Sequence, residues 1–108
     1  MGKPMLERET HRQFIATYIM ASGRNGTIYT GMATYLPKRV LQHKRGDHDG
    51  FTADHRCRTL VWYETSQTVI AAIKREKQIK HWLRKWKLDL IENENPEWRD
   101  LSDGWHED

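Results

Sequence analysis

Residues 14–20, FIATYIM, alternate in the sense a half-buried strand needs. Phe14, Ala16, Tyr18 and Met20 point one way and Ile15, Thr17 and Ile19 the other. Ser22-Gly23-Arg24-Asn25-Gly26 is dense in turn formers, and Thr27 to Met32 resumes a β-type pattern, so the two runs are expected to form a hairpin. With the turn centred near Arg24, Tyr18 falls opposite or nearly opposite Tyr29, within side-chain reach. Pro37 suits a first helical turn, Thr34 is placed to cap it, and Leu36, Val40 and Leu41 anchor a short helix that Gly46 stops. Arg39 and His43, four apart, share a face of that helix with Leu36 and Val40.

Residues 46–57 have no clean period and read as a loop, and Arg58 to Glu64 reads as a third strand. A helical pattern runs from about Gln67 to Ile91, broken or bent between Trp82 and Trp86. Val69, Ile73, Glu76, Lys80 and Leu83 follow a four-three-four-three spacing that puts Glu76 on the apolar stripe. The remainder is polar and acidic with isolated Trp98, Leu101 and Trp105, expected to wrap the domain in part and fray at its end. The order strand, strand, helix, strand, helix, helix describes a small α/β or α+β domain whose first two strands are antiparallel.

With 108 residues, 37% of them hydrophobic and 31% charged, the chain suits one domain with one modest core, to which five Trp, four Tyr and two Phe contribute large pieces. No apolar run approaches the roughly 18 residues of a membrane span, and the N-terminus lacks a secretory signal's apolar middle. A soluble, cytoplasmic protein with no membrane partner is the expectation. Cys57 is the only cysteine, which excludes an intrachain disulfide.

Charge changes the picture more. Residues 1–88 carry 17 Lys plus Arg against 7 Asp plus Glu, whereas residues 89–108 carry 1 against 8. A basic body favours a polyanionic partner, because cations that neutralise phosphates release condensed counterions. An ordinary solvated surface is the plain alternative. Residues 74–87 concentrate seven Lys or Arg and two Trp around one acid, a composition suited to backbone neutralisation with base stacking. Trp82 and Trp86 read at least as well as core residues.

Glu76 on a buried stripe demands a compensating cation, either a metal ion, an Arg, or Lys80 at i, i+4 with the carboxylate tip in solvent. Arg39 on an apolar face can offer a planar fork to a phosphate, and His43 can move a proton near neutral pH; the plain alternative is that both rim the helix and touch water. Tyr18 and Tyr29 are poor bases unless cations lower them, and cross-strand tyrosines are common packing residues. Asp47, His48, Asp49, His55 and Cys57 cluster in sequence but match no paired Cys/His zinc spacing.

Taken together, FIATYIMASGRNGTIYTGMATYLPKRVLQHKRG, then GFT, RTLVWYE, AIKREKQIKHW and WKLDLIENENPEWRDL resemble the small stand-alone bacterial GIY-YIG nuclease domains, relatives of the N-terminal nuclease part of the UvrC repair enzyme and of certain homing endonucleases. Ala16-Thr17-Tyr18 occupies the first signature and Tyr29-Thr30-Gly31 the second. Ala16 replaces a glycine there, and Thr17 and Thr30 replace aliphatic residues. By that likeness Arg39 matches the catalytic arginine, His43 a position carrying His or Tyr, and Glu76 the metal-binding glutamate, while His55 stands where many close relatives have a tyrosine.

The resemblance implies a three-stranded antiparallel sheet flanked by helices, with an N-terminal extension (1–13), a nuclease domain (14–92) and an acidic tail (93–108). It implies a Mg²⁺- or Mn²⁺-dependent endonuclease, structure-specific or repair-related, acting on DNA more readily than RNA. Tyr18, Tyr29, Arg39, His43 and Glu76 form the catalytic set. Gly31, Lys74, Lys77, Lys80, Arg84 and Lys85 are expected to contact nucleic acid. With no recognition helix, a specific target requires structure in the DNA or a targeting protein. The competing readings are a non-catalytic nucleic-acid-binding or adaptor module on the same fold, and an interaction protein whose acidic tail masks the basic face.

Overall fold

The computed structural model describes residues 13–46 and 56–105. Strands β1 (Ala16–Ala21), β2 (Ile28–Ala33) and β3 (Thr59–Thr65) form one antiparallel sheet in the order β2-β1-β3. Helix α1 (Leu36–Arg45) follows β2, and α2 (Val69–Lys80) and α3 (Arg84–Glu94) follow β3. The architecture is an α+β fold in the expected order, and the predicted helix break falls at residues 81–83.

β1 departs from the half-buried expectation, since all six of its residues are buried. It is the central strand, and both its faces are covered. On one face Tyr18 and Met20 pack with Leu36 and Val40 of α1 and with Leu60 of β3. On the other, Ile19 and Ala21 pack with Trp62, with Ile79 of α2, Ile91 of α3 and Trp98. Thr17 lies on this second face and is satisfied there by donating to the Ala72 carbonyl at 3.0 Å. Alternation alone does not reveal a second covering layer, because Ile and Tyr suit either side.

The hairpin turns at Gly23–Gly26, closed by Gly26 N–H donating to the Gly23 carbonyl at 2.9 Å, with Asn25 at φ 57. This pairs Tyr18 with Gly31 and Met20 with Tyr29. Tyr29 therefore sits two residues along from the position directly opposite Tyr18, diagonal to it on the same face and still within side-chain reach. On the other side the register shifts between Ile19 and Met20, where Val61 is the extra residue of a bulge.

Helix α1 is capped at Tyr35, not Thr34, with no side-chain cap bond and with Pro37 in its first turn. Gly46 at φ 77 ends it, a conformation glycine adopts without a Cβ penalty. In α2 the Thr68 side chain accepts from Ala71 N–H at 3.1 Å. The buried positions of α2 are Ala72 and Ile79, which displaces the expected stripe: Lys80 is exposed and Leu83 is 64% exposed.

The segment from Asn95 to Trp105 is built into the structure. Asn95 donates to the carbonyls of Val61 and Arg99 at 3.0 and 2.8 Å and accepts from Arg99 N–H, and Trp98 joins the second core. Trp105 meets Phe14 and Tyr63 with ring centroids 5.6 and 5.7 Å apart. Removing residues 93–108 would therefore strip both cores, and truncation there cannot report on masking with the fold intact.

Asp100 fastens this segment to α1 and β3. It accepts from Lys44, from Leu60 N–H at 3.3 Å and from the Ser102 hydroxyl at 2.6 Å. Desolvation pushes its carboxyl up, but the bonds from Lys44 and Ser102 outweigh it and hold the group below the usual Asp range. A depressed folded value stabilises above the unfolded value near ~4 and is lost as pH falls through the folded one. Asp100→Asn is expected to cost about 1–3 kcal/mol at neutral pH and to flatten the fall in stability below pH ~4, measured by urea unfolding across pH.

Candidate active site

Four elements converge on the Tyr18 hydroxyl. Tyr18 projects from the middle of β1 and is fully buried. Opposite it, Gly31 leaves the space the phenol occupies: a Cβ at that position would stand 2.7 Å from Tyr18 Oη and 2.9 Å from Cζ. Gly31, expected to contact nucleic acid, is buried beneath this ring. From α1, His43 Nε2 lies 2.8 Å from Tyr18 Oη. The half-buried Tyr29 completes a triangle of rings, its centroid 6.4 Å from that of Tyr18 and 5.4 Å from that of His43.

Arg39 stands one turn before His43, half-buried, and donates through Nη1 to the Met32 carbonyl at 3.2 Å. That tether holds the guanidinium at the end of β2, near enough for its charge to act on the Tyr18 hydroxyl. Burial first, then the neighbouring Tyr29, push the Tyr18 phenol well above the ordinary tyrosine range, and Arg39 opposes them without cancelling them. Tyr18 thus keeps its proton through neutral and mildly alkaline pH.

Glu76 belongs to the same electrostatic group, its charge adding to the upward push on Tyr18. Its side chain is 17% exposed and pairs with Lys80 Nζ at 3.0 Å, so the i, i+4 ion pair foreseen as one reading is formed in this structure. No group of three or more His, Cys, Asp or Glu able to hold a metal occurs among the described residues. The five residues Tyr18, Tyr29, Arg39, His43 and Glu76 are thus drawn from four elements into one neighbourhood, 58 positions apart at their extremes. A cavity of about 200 Å³ between α1 and the C-terminal segment, lined by Val40, Lys44 and Trp105 among others, includes none of them.

The remaining basic residues divide. Lys74 and Lys77 are exposed along α2, and Lys85, 81% exposed, pairs loosely with Asp89 at 3.8 Å. Arg84 is committed in part to structure, donating to the Asn25 and Gly26 carbonyls of the hairpin turn at 3.1 and 2.7 Å. Lys87 donates to the Lys80 carbonyl at 3.4 Å, and burial with the neighbouring charges of Arg84 and Lys80 lowers its ammonium below the usual lysine value.

Two residues that fix the site's frame carry no motif. Arg75 pairs with Glu64 of β3 at 3.2 Å and lies 5.4 Å from the Trp82 ring centroid, and Asp100 holds α1 through Lys44. Arg75 is one more cation in a basic run, and an isolated acid in the tail gives no periodic signal for Asp100.

Asp47, His48, Asp49 and His55 lie outside the described residues, as does the GFT segment. Cys57 is buried with its thiol 3.6 Å from the Thr27 carbonyl, and burial raises it above the ordinary thiol range. It has the environment of an inert packing thiol.

Known proteins resemble this chain as follows. The sequence profile of the GIY-YIG catalytic domain matches residues 14–89. A UPF0213 protein of Staphylococcus saprophyticus is 38% identical over 68 residues, 63% of this chain and 83% of the relative. A UPF0213 protein of Staphylococcus aureus is 40% identical over 67 residues, 62% and 82% of the two chains. The solution NMR structure of a UPF0213 protein from Bacillus halodurans, 23% identical, covers 86% of this chain and 98% of that one with a TM-score of 0.49.

Proposed function

Because the chain belongs to the GIY-YIG family of catalytic domains, a nuclease family, we propose that it is a divalent-metal-dependent endonuclease that hydrolyses phosphodiester bonds in DNA. The observation that carries this reading is the convergence of Arg39, His43, Tyr29 and Glu76 around the buried Tyr18 hydroxyl.

Hydrolysis requires an oriented water, neutralisation of charge growing on the phosphoryl oxygens, and help for the departing alkoxide. Arg39, fixed by the Met32 carbonyl, binds the scissile phosphate and meets the developing charge. Tyr29, the less buried phenol, orients the attacking water. Tyr18 is enclosed and keeps its proton, so its role is to position the His43 ring through the 2.8 Å contact at Nε2, and His43 assists Tyr29 in taking the water's proton.

A lone carboxylate oxygen pair fits Mg²⁺ or Mn²⁺, hard ions that keep several waters and share their remaining positions with substrate phosphates; Glu76 would hold the ion in exchange for Lys80. Bound there, the ion supplies Lewis acidity to a phosphate oxygen and the leaving group.

Exposed Lys74, Lys77 and Lys85 support a sequence-independent grip on a nucleic acid backbone, and the role proposed for it is structure-specific or repair-related cleavage in the cytoplasm. No helix among the described residues is long and apolar enough to cross a membrane. The test is cleavage of labelled single-stranded, duplex, flap and branched DNAs, with RNA counterparts, in Mg²⁺, Mn²⁺ or chelator. Metal-dependent cutting of at least one DNA is expected. Binding without cutting in every condition would favour the non-catalytic module.

A further inference from the structure

Trp82 and Trp86 were equally readable as core, yet Trp86 is 51% exposed. The two rings stand edge to face, centroids 6.3 Å apart at 78°, at the elbow between α2 and α3. Together with Asp89, Leu90 and Asn93 they line an open groove of about 370 Å³. An aromatic surface left open to water in a small domain asks for a flat, polarisable ligand.

The surrounding charge says what kind. Arg75 stacks near Trp82, Lys85 stands at the rim through its loose pair with Asp89, and Lys80, Arg84 and Lys87 crowd together beside the elbow. Cations packed at mutual electrostatic cost are suited to phosphates, which relieve the repulsion. Asp89 and Asn93, four apart on α3, add an acceptor and an amide that can meet the polar edge of a base.

We propose that the Trp82–Trp86 groove receives an unpaired nucleobase whose neighbouring phosphates lie on Lys80, Arg84 and Lys87. The inference rests on the nuclease reading and narrows its substrate to nucleic acid with an unpaired nucleotide near the cut, such as a single strand, flap or bulge. Glu76 stands four residues, roughly 6 Å at helical rise, before the end of α2, and Trp82 follows two residues after that end, so the stacked base is a few nucleotides from the scissile phosphate. Stacking on indole tolerates any base, whereas a paired base in a duplex presents no free face.

The test is fluorescence-anisotropy titration of wild type, Trp86→Ala and Trp86→Phe with labelled oligothymidylate and with a duplex of equal length, in chelator so that nothing is cut. Trp86→Ala is expected to weaken oligothymidylate binding roughly 5- to 100-fold with duplex binding unchanged, and Trp86→Phe to retain most of the affinity. Equal weakening on both probes, no weakening, failure of the Phe rescue, or no wild-type binding to oligothymidylate would overturn the groove. Adding Mg²⁺ separates the two readings. A wild type that binds through Trp86 but never cuts overturns the nuclease and leaves the groove; one that cuts while Trp86→Ala shows the same strand preference overturns the groove alone.

Discussion

Glu76→Ala is expected to lower the rate of phosphodiester cleavage by about 10³-fold or more while nucleic-acid binding at low salt stays equal or becomes tighter. The fold should survive. α2 is held by the Thr68 cap, by buried Ala72 and Ile79 and by the bond from Thr17, none of which involves Glu76. Its own partner in this structure is Lys80, and a partly exposed i, i+4 pair contributes only about 0.3–0.5 kcal/mol. Removing the carboxylate deletes a negative charge from the path of the phosphates and frees Lys80, which explains why binding should not fall when activity does.

Glu76→Gln keeps the shape without the charge and should be equally inactive. Lys80→Ala releases Glu76 from its pair and should keep activity within about tenfold, because Lys80 contributes to grip and not to the reaction. These are read by single-turnover cleavage beside binding titrations. If Glu76→Ala cuts at the wild-type rate, the assignment of the metal to this carboxylate fails, whatever becomes of the rest of the site.

Much of the fold was legible because its signals are local. Pro37 and Gly46 bracket α1, β-branched and aromatic residues mark β3, and the amphipathic pattern changes phase between Lys80 and Arg84. Arg39 and His43 could be placed on one face by helical spacing alone. What depended on distant residues was not legible. Whether Thr17 and Ile19 face solvent depends on where α2 docks, and the burial of Asn95 and Asp100 depends on β3 and α1, 34 to 56 residues away.

The tyrosine register turned on which of five turn residues close the hairpin. A register two residues away would put Tyr29 directly opposite Tyr18, and the triangle that the actual register makes with His43 could not be drawn from spacing. Glu76 illustrates both sides. Its partial burial followed from periodicity, but the stripe it belongs to is set by Ala72 and Ile79 rather than by Lys80 and Leu83.

The register also leaves no room for a side chain at Gly31. Gly31→Ala adds one methyl group on a rigid edge-strand backbone, directly against a phenol that cannot swing away. Tyr18 is enclosed, and its oxygen is held at 2.8 Å from His43. Contacts of 2.7 and 2.9 Å to Oη and Cζ must open by several tenths of an ångström, and Tyr29 Cε2 at 3.0 Å blocks sideways escape. Overpacking of this kind costs about 1–3 kcal/mol. The larger effect falls on chemistry: pushing Tyr18 off His43 displaces the imidazole that assists Tyr29, so cleavage should drop by about 10²-fold with binding largely kept. Urea unfolding and single-turnover cleavage on the same preparation check both halves. A stable, fully active Gly31→Ala protein would mean that the Tyr18–His43 contact has no part in the reaction, whereas lost activity with the Tyr18→Phe variant equally impaired would tie the glycine to catalysis through that one hydroxyl.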